Sequence, residues 1–237
     1  MAESMTNSQQ YQGFFLHAID LDDLYSCLNF TRCGKIWSPD YLAACDKSLA
    51  KFHPNIKEIP MDKLSKFGVP QGILSPRAAC LTEAAILRNG GRLGEGTINT
   101  KWFTREKSDQ IKRIADIELD FEAERRKVAP KAVSRLSCLW VAEDSVAGRK
   151  LVESMFPDRV VLNVCIPRAL GVSKVDVGWF DKYAKEKNRQ YIHSYWMGTI
   201  SDDNNPKWEY LVDGELEISD KYQLEVIRQY GAHKSIE

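Results

Sequence analysis

Residues 136–166 read LSCLWVAEDSVAGRKLVESMFPDRVVLNVCI, and their organisation decides the fold class. Residues 136–141 and 160–166 are dense in β-branched, aromatic and apolar side chains, whereas residues 145–156 place their apolar positions at helical spacing. Strand, helix, strand is the simplest reading. Further along, residues 191–198 and 208–212 are strand candidates, and the turn-prone pair Asp213-Gly214 separates the second from a short apolar run over 216–218.

Toward the N-terminus, residues 107–128 carry the longest helical pattern. Ile111, Ile114, Ile117 or Glu118, and Phe121 share one side, charges lie opposite, and Pro130 ends the run. The stretch 35–99 alternates short apolar clusters with Pro and Gly breaks, apart from a helical run over 75–88 that stops at Asn89-Gly90-Gly91. After a polar segment at 1–12, Phe14, Phe15 and Leu16 begin a first strand that runs through His17 and Ala18 to Ile19. Asp20 can cap a helix starting near Leu21, with Leu24, Cys27 and Leu28 on one face and Gly34 as its stop. No repeat or low-complexity linker interrupts the chain. The expectation is one α+β domain over residues 1–237, with residues 35–130 a largely helical elaboration within it.

Composition narrows the function classes. At 43% apolar residues a chain of 237 can build a real core, and 33 basic against 33 acidic residues leave no overall field to steer it to nucleic acid or an anionic membrane. Any such binding needs a local patch, and Arg125, Arg126, Lys127, Lys131 and Arg135 offer one at the end of the long helix. The plainer reading, which is favoured, is that the same residues complement the helix dipole. The N-terminus has no basic region followed by a long apolar run, so neither a secretory signal nor a membrane span is expected and the location reads as cytoplasmic. Six scattered cysteines without a CxxC pair, and His17, His53, His193 and His233 far apart, argue against a disulfide framework or a metal site.

The usual catalytic signatures are missing. There is no GxxxxGK loop, no GxSxG elbow and no HExxH helix, and the glycine-rich run from Gly90 to Gly96 reads as a loop. What remains is a set of single residues on successive strand candidates: His17 in FLHA, Trp140 in CLWV and Glu209 in KWEYL. This order resembles the His, aromatic, Glu pattern of the diphtheria-toxin-like branch of the ADP-ribosyltransferase superfamily. The run LWVAED leading into a helix and then VVLNV is similar to that family's second motif, and WEYLV with Gly214 and Ile218 to its terminal motif. SRLS at 134–137 and YWMG at 195–198 are similar to an uncharacterised bacterial family. The family's aromatic is normally Tyr, so Trp140 departs from the pattern. Lys207 stands where the arginine-modifying branch places a second Glu and other branches a Gln, which argues against an arginine acceptor.

The resemblance implies a split antiparallel β-sheet core with helical insertions, NAD as substrate, and ADP-ribose transfer to nucleic acid or protein without a metal. A bacterial or phage toxin, effector or defence enzyme, with an antitoxin-like inhibitor as partner, fits that family. The chemistry has its own logic. Breaking the nicotinamide–ribose bond develops positive charge on the sugar, which a fixed carboxylate stabilises; Glu209 is assigned that role. Trp140 offers an aromatic face to nicotinamide, His17 ring nitrogens to a ribose, and Arg135 a guanidinium to the pyrophosphate. Taken singly, each has a plainer reading: His17 a half-buried histidine, Trp140 core, Glu209 a solvent-facing strand residue, Arg135 a ligand of helix-end carbonyls. Two other functions stay open, an inactive module of the same fold that binds RNA or a protein, and an NAD glycohydrolase that uses water as acceptor.

Overall fold

The computed structural model describes residues 9–21, 24–53, 55–70, 75–95 and 101–234. The polar segment 1–8, the Gly96 end of the glycine-rich loop and the side chains of Leu24, Cys27 and Leu28 lie outside that description. The first strand is β1 (Gln9–Ile19), followed by α1 (Leu24–Cys33). Gly34 ends α1 at φ 70°, and its N–H closes onto the Phe30 carbonyl at 2.9 Å. Next come β2 (Lys35–Trp37), α2 (Pro39–Cys45), α3 (Lys47–Ala50), a 3-10 turn at Ile56–Glu58, α4 (Met61–Phe67) and α5 (Pro76–Arg88). A small hairpin of β3 (Gly94–Glu95) and β4 (Lys101–Trp102) leads into the 24-residue α6 (Arg105–Val128). Ser75 caps α5 and Thr104 caps α6, each accepting a bond from the backbone N–H three residues on. Residues 35–130 are thus mostly helical.

The remainder carries most of the sheet: β5 (Leu139–Glu143), α7 (Val146–Met155), β6 (Val160–Asp176), α8 (Gly178–Glu186), α9 (Arg189–Trp196), β7 (Trp208–Ile218) and α10 (Lys221–Lys234). The order is β2-β7-β5-β1-β6, every pair is antiparallel, and β6 also pairs with β7. β1, β5, β7 and β6 therefore form a closed ring of pairings. Register shifts between Cys165 and Arg168 and between Ala169 and Gly171 let the 17-residue β6 bend and serve both partners. The fold is α+β.

Strand alternation divides the core. Leu16, Ala18, Trp140, Ala142 and Leu211 pack on one face with Phe121 of α6, Val152 of α7, Tyr183 of α8 and Tyr195 of α9. Phe15, Ile19, Val141, Leu162 and Val212 pack on the other with Phe30 of α1 and Ile227 of α10. A third cluster, including Leu64, Leu81, Ala84, Ala115 and Leu119, fixes α4 and α5 onto the far side of α6. Fully burying such a side chain contributes about 1.5–3 kcal/mol before conformational entropy is counted. Among the described residues no helix is long and apolar enough to cross a membrane.

Two strand expectations are corrected. Residues 191–198 fall largely in α9, because the Asn188 side chain caps its first turn and Ile192, Tyr195 and Trp196 recur at helical spacing on a buried face. Asp213-Gly214 is no turn: β7 runs straight through it. A Cβ at Gly214 would lie 2.5 Å from the Arg168 carbonyl oxygen, so glycine is needed there for the close passage of β6.

Candidate functional site

Glu209 is the second residue of β7, and alternation turns it inward with Leu211, toward α6 and α9. It is 0% exposed. Its Oε1 accepts bonds from Arg135 Nη1 at 2.7 Å and from the Tyr195 hydroxyl at 2.5 Å, and its Oε2 accepts from the indole N–H of Trp140. The other edge of Arg135 grips Glu118 in a fork, Nε to Oε2 at 2.9 Å and Nη2 to Oε1 at 3.0 Å. Arg77 approaches Glu118 at 3.4 Å, so two guanidiniums balance two carboxylates in a dry interior. Burial pushes Glu118 upward, but Arg135 and then Arg77 outweigh it and hold the carboxyl below its ordinary 4.5. Burial and the adjoining Glu209 drive the Tyr195 hydroxyl well above 10, against the pull of Arg135. The phenol therefore stays a donor.

Three of the four residues singled out in the sequence thus meet in one network, despite separations of 69 and 74 positions. They do not meet as expected. Arg135 is 4% exposed with both edges committed to carboxylates, and Trp140 packs edge-on to Phe156 within the core, so neither offers itself to a ligand. His17 lies apart: its Nδ1–H donates to the Trp140 carbonyl at 2.7 Å, but its ring sits 6.0 Å from Phe30, on the sheet face opposite the Trp140 indole. The Leu16–Ala142 pairing enforces this, since neighbours along a strand point to opposite faces. Burial lowers the His17 pKa below 6.5 and keeps the ring neutral.

The three arginines of the basic cluster are likewise spent internally, while Lys127 and Lys131 are exposed. Arg125 forks onto Glu122 and donates to the Pro130 and Ala132 carbonyls, while Arg126 binds the Ile56 and Ile59 carbonyls at 2.7 Å each. Both arginines stitch α6 to its surroundings and offer no patch to phosphates.

An open cleft of about 600 Å³ lies nearby, between the end of β5 and the start of α7 on one side and residues 205–208 on the other. Glu143, Gly148, Lys150, Lys207 and Trp208 line it; Glu209 does not. Ser145 caps α7, placing the positive end of the helix dipole at the rim. Gly148 is required because any Cβ there would overlap the Glu143 carbonyl oxygen. Glu143, 45% exposed, accepts bonds at Oε1 from the Tyr210 hydroxyl and from Lys174 Nζ at 3.1 Å. The Tyr210 bond first, and Lys174 after it, hold its carboxyl below 4.5, so it is ionised at neutral pH. Lys174 also lies 4.7 Å over the Trp208 ring, and Lys207 is tethered to Asp181 at 2.7 Å.

Sequence reasoning missed Glu143. Its only signal was its place at the strand end of LWVAED, just before a helix cap. Among the described residues no group of three or more His, Cys, Asp or Glu is placed to hold a metal ion. A family model described as a protein of unknown function (DUF2441) matches residues 95–227, a span holding Glu118, Arg135, Trp140, Tyr195, Glu209 and the whole cleft, but neither His17 nor Arg77. No curated protein matches the chain.

Proposed function

The chain belongs to the DUF2441 family, whose model spans more than half of it, and we propose that it is an NAD-dependent mono-ADP-ribosyltransferase acting in the cytosol on nucleic acid or protein. One observation carries this reading. The helix that follows LWVAED, with Glu143 near the end of that motif, forms one wall of the cleft, and residues 205–208, ending in the Trp208 that opens WEYLV, form the other. A volume of about 600 Å³ falls within the range of small-molecule sites. Its donor set suits a dinucleotide: Lys150, Lys207 and the α7 rim for the pyrophosphate, Trp208 for an aromatic base, and Glu143 for ribose hydroxyls. Bound NAD would supply an activated glycosidic bond with nicotinamide as leaving group. The protein's part is to position that bond and stabilise the sugar cation.

Glu209 enters this chemistry only if Arg135 and Tyr195 release it, because all its bonds are made within the core. That closure favours a second reading, a module of the same fold that binds RNA or a protein without catalysis.

Labelled NAD incubated with the wild-type protein and Glu209→Gln, with cell lysate before and after nuclease treatment, separates them. Transfer of label supports the transferase, and nuclease sensitivity of the product identifies a nucleic-acid acceptor. Nicotinamide release without transfer indicates a glycohydrolase. If NAD stays intact and unbound, the module remains.

A further inference from the structure

We propose that Glu143, and not Glu209, is the carboxylate that touches the ribose in the cleft; this rests on the NAD-consuming reading above. The two carboxylates face opposite ways. Glu209 points with Leu211 into the core beneath α6 and α9, where Arg135, Tyr195 and Trp140 occupy both of its oxygens. Glu143 lies by alternation on the face of Val141, opposite that of Ala142 and Leu211, beside Tyr210, whose ring packs 5.2 Å from Phe15.

Its two oxygens have different situations. Oε1 is fixed by Tyr210 and Lys174, whereas Oε2 accepts no hydrogen bond from the described residues. The side chain is thus oriented by its neighbours yet keeps one anionic oxygen for a ligand hydroxyl. Three strands supply the support, with Lys174 of β6 paired directly to Tyr210 of β7 and Glu143 at the end of β5. Trp208, under the Lys174 ammonium, closes the wall. A carboxylate in this setting stays charged at neutral pH and within reach of a ligand, and a ligand that covers it excludes the water that would otherwise screen its stabilisation of a sugar cation.

The step balances simply. The bond between ribose C1′ and the nicotinamide nitrogen breaks, and its electron pair leaves with nicotinamide, which becomes neutral. Positive charge spreads over C1′ and the ring oxygen. Glu143 Oε2 holds the 2′-hydroxyl and faces that charge. A lone pair of the acceptor forms the new bond to C1′, and the acceptor's proton passes to water.

Nicotinamide release, NAD affinity and thermal midpoint are measured for the wild-type protein, Glu143→Gln, Glu209→Gln and Tyr210→Phe. Glu143→Gln keeps the size and the Oε1 acceptor but loses the charge, so kcat falls about 10²–10³-fold while the thermal midpoint stays near wild type. Tyr210→Phe removes the hydrogen bond that most lowers the Glu143 pKa. The acid limb of its kcat profile therefore moves to higher pH, a shift that a merely structural role would not produce. If the wild-type protein consumes NAD and Glu143→Gln keeps its kcat within twofold, the assignment is wrong and the transferase reading survives. A wild-type protein that neither binds nor consumes NAD overturns both. Should Glu143→Gln fail to fold, the Tyr210→Phe profile decides alone, and an unmoved acid limb rejects the proposal.

Discussion

Arg135 and Glu209 meet at 2.7 Å although 74 positions separate them, and neither is more than 4% exposed. The contact joins the segment after α6 to the start of β7 and, through Glu118, ties α6 to the sheet. Arg135→Met leaves two buried carboxylates short of their main cation and is expected to cost about 3–5 kcal/mol. Urea denaturation would show this as a lower midpoint at unchanged slope. Adding Glu118→Gln should recover part of the loss, since one uncompensated charge goes with it.

Tyr195→Phe tests the same network without changing its volume. The hydroxyl donates to Glu209 in a dry interior, so its removal is expected to cost about 1–3 kcal/mol, less than the loss of Arg135. A loss as large as that of Arg135→Met would mean that the phenol, and not the ion pair, organises the cluster.

Acid should unfold the protein through its buried carboxylates. Glu118 and Glu122 are held below 4.5, and Asp40, bound to His53, Lys57 and Ser137, below 3.8. For each, burial pushes upward and the charged or donating neighbours outweigh it. A carboxyl with a depressed folded pKa contributes stability that is present above its unfolded value and lost as pH falls through the folded one. Stability is therefore expected to decline below about pH 4.5. Asp213, raised by burial and by Asp40, works the other way, contributing at acid pH and fading as pH rises, and so blunts the decline. In Arg135→Met Glu118 loses the stronger of the two cations that depress it and keeps only Arg77, so the acid dependence of the denaturation midpoint should be shallower.

How far the sequence foretold all this depends on which forces were local. Helices with a sustained apolar spacing or a clear breaker were legible: α5 before Asn89-Gly90-Gly91, α6 before Pro130, and α7 between two apolar runs. So was the strand character of the apolar runs in β5 and β6. Residues 191–198 misled because Tyr, Ile and Trp favour strands by propensity while their helical spacing and the Asn188 cap decide otherwise. Asp213-Gly214 looked like a turn because Gly marks both turns and close crossings, and only the position of β6 distinguishes them. At the site, the meeting of Trp140 and Glu209 followed from their strand placement, whereas Arg135 reaches them from the turn before β5, and the burial of all three was not legible. It depends on α6 and α9 covering that sheet face, a tertiary fact with no local trace. Glu143 was hidden for the converse reason, since its support from Tyr210 and Lys174 comes from two other strands.

Gly148 supplies a steric test of the cleft. It sits in the first turn of α7, and a Cβ there would overlap the carbonyl oxygen of Glu143. The clashing atom is backbone, so it can yield only if the helix lifts from the end of β5. Gly90 is a useful contrast, because its φ of 82° is unfavourable for alanine but a Cβ there has nothing within 4 Å. Gly90→Ala should cost about 1–2 kcal/mol of backbone strain and leave the cleft untouched. Gly148→Ala should cost more, and by moving both α7 and the Glu143 backbone it should also weaken NAD binding out of proportion to its loss of stability. Titrating NAD against both variants at a temperature where each is fully folded separates the effects. Equal affinities in the two would show that the space between α7 and β5 is not where the ligand sits.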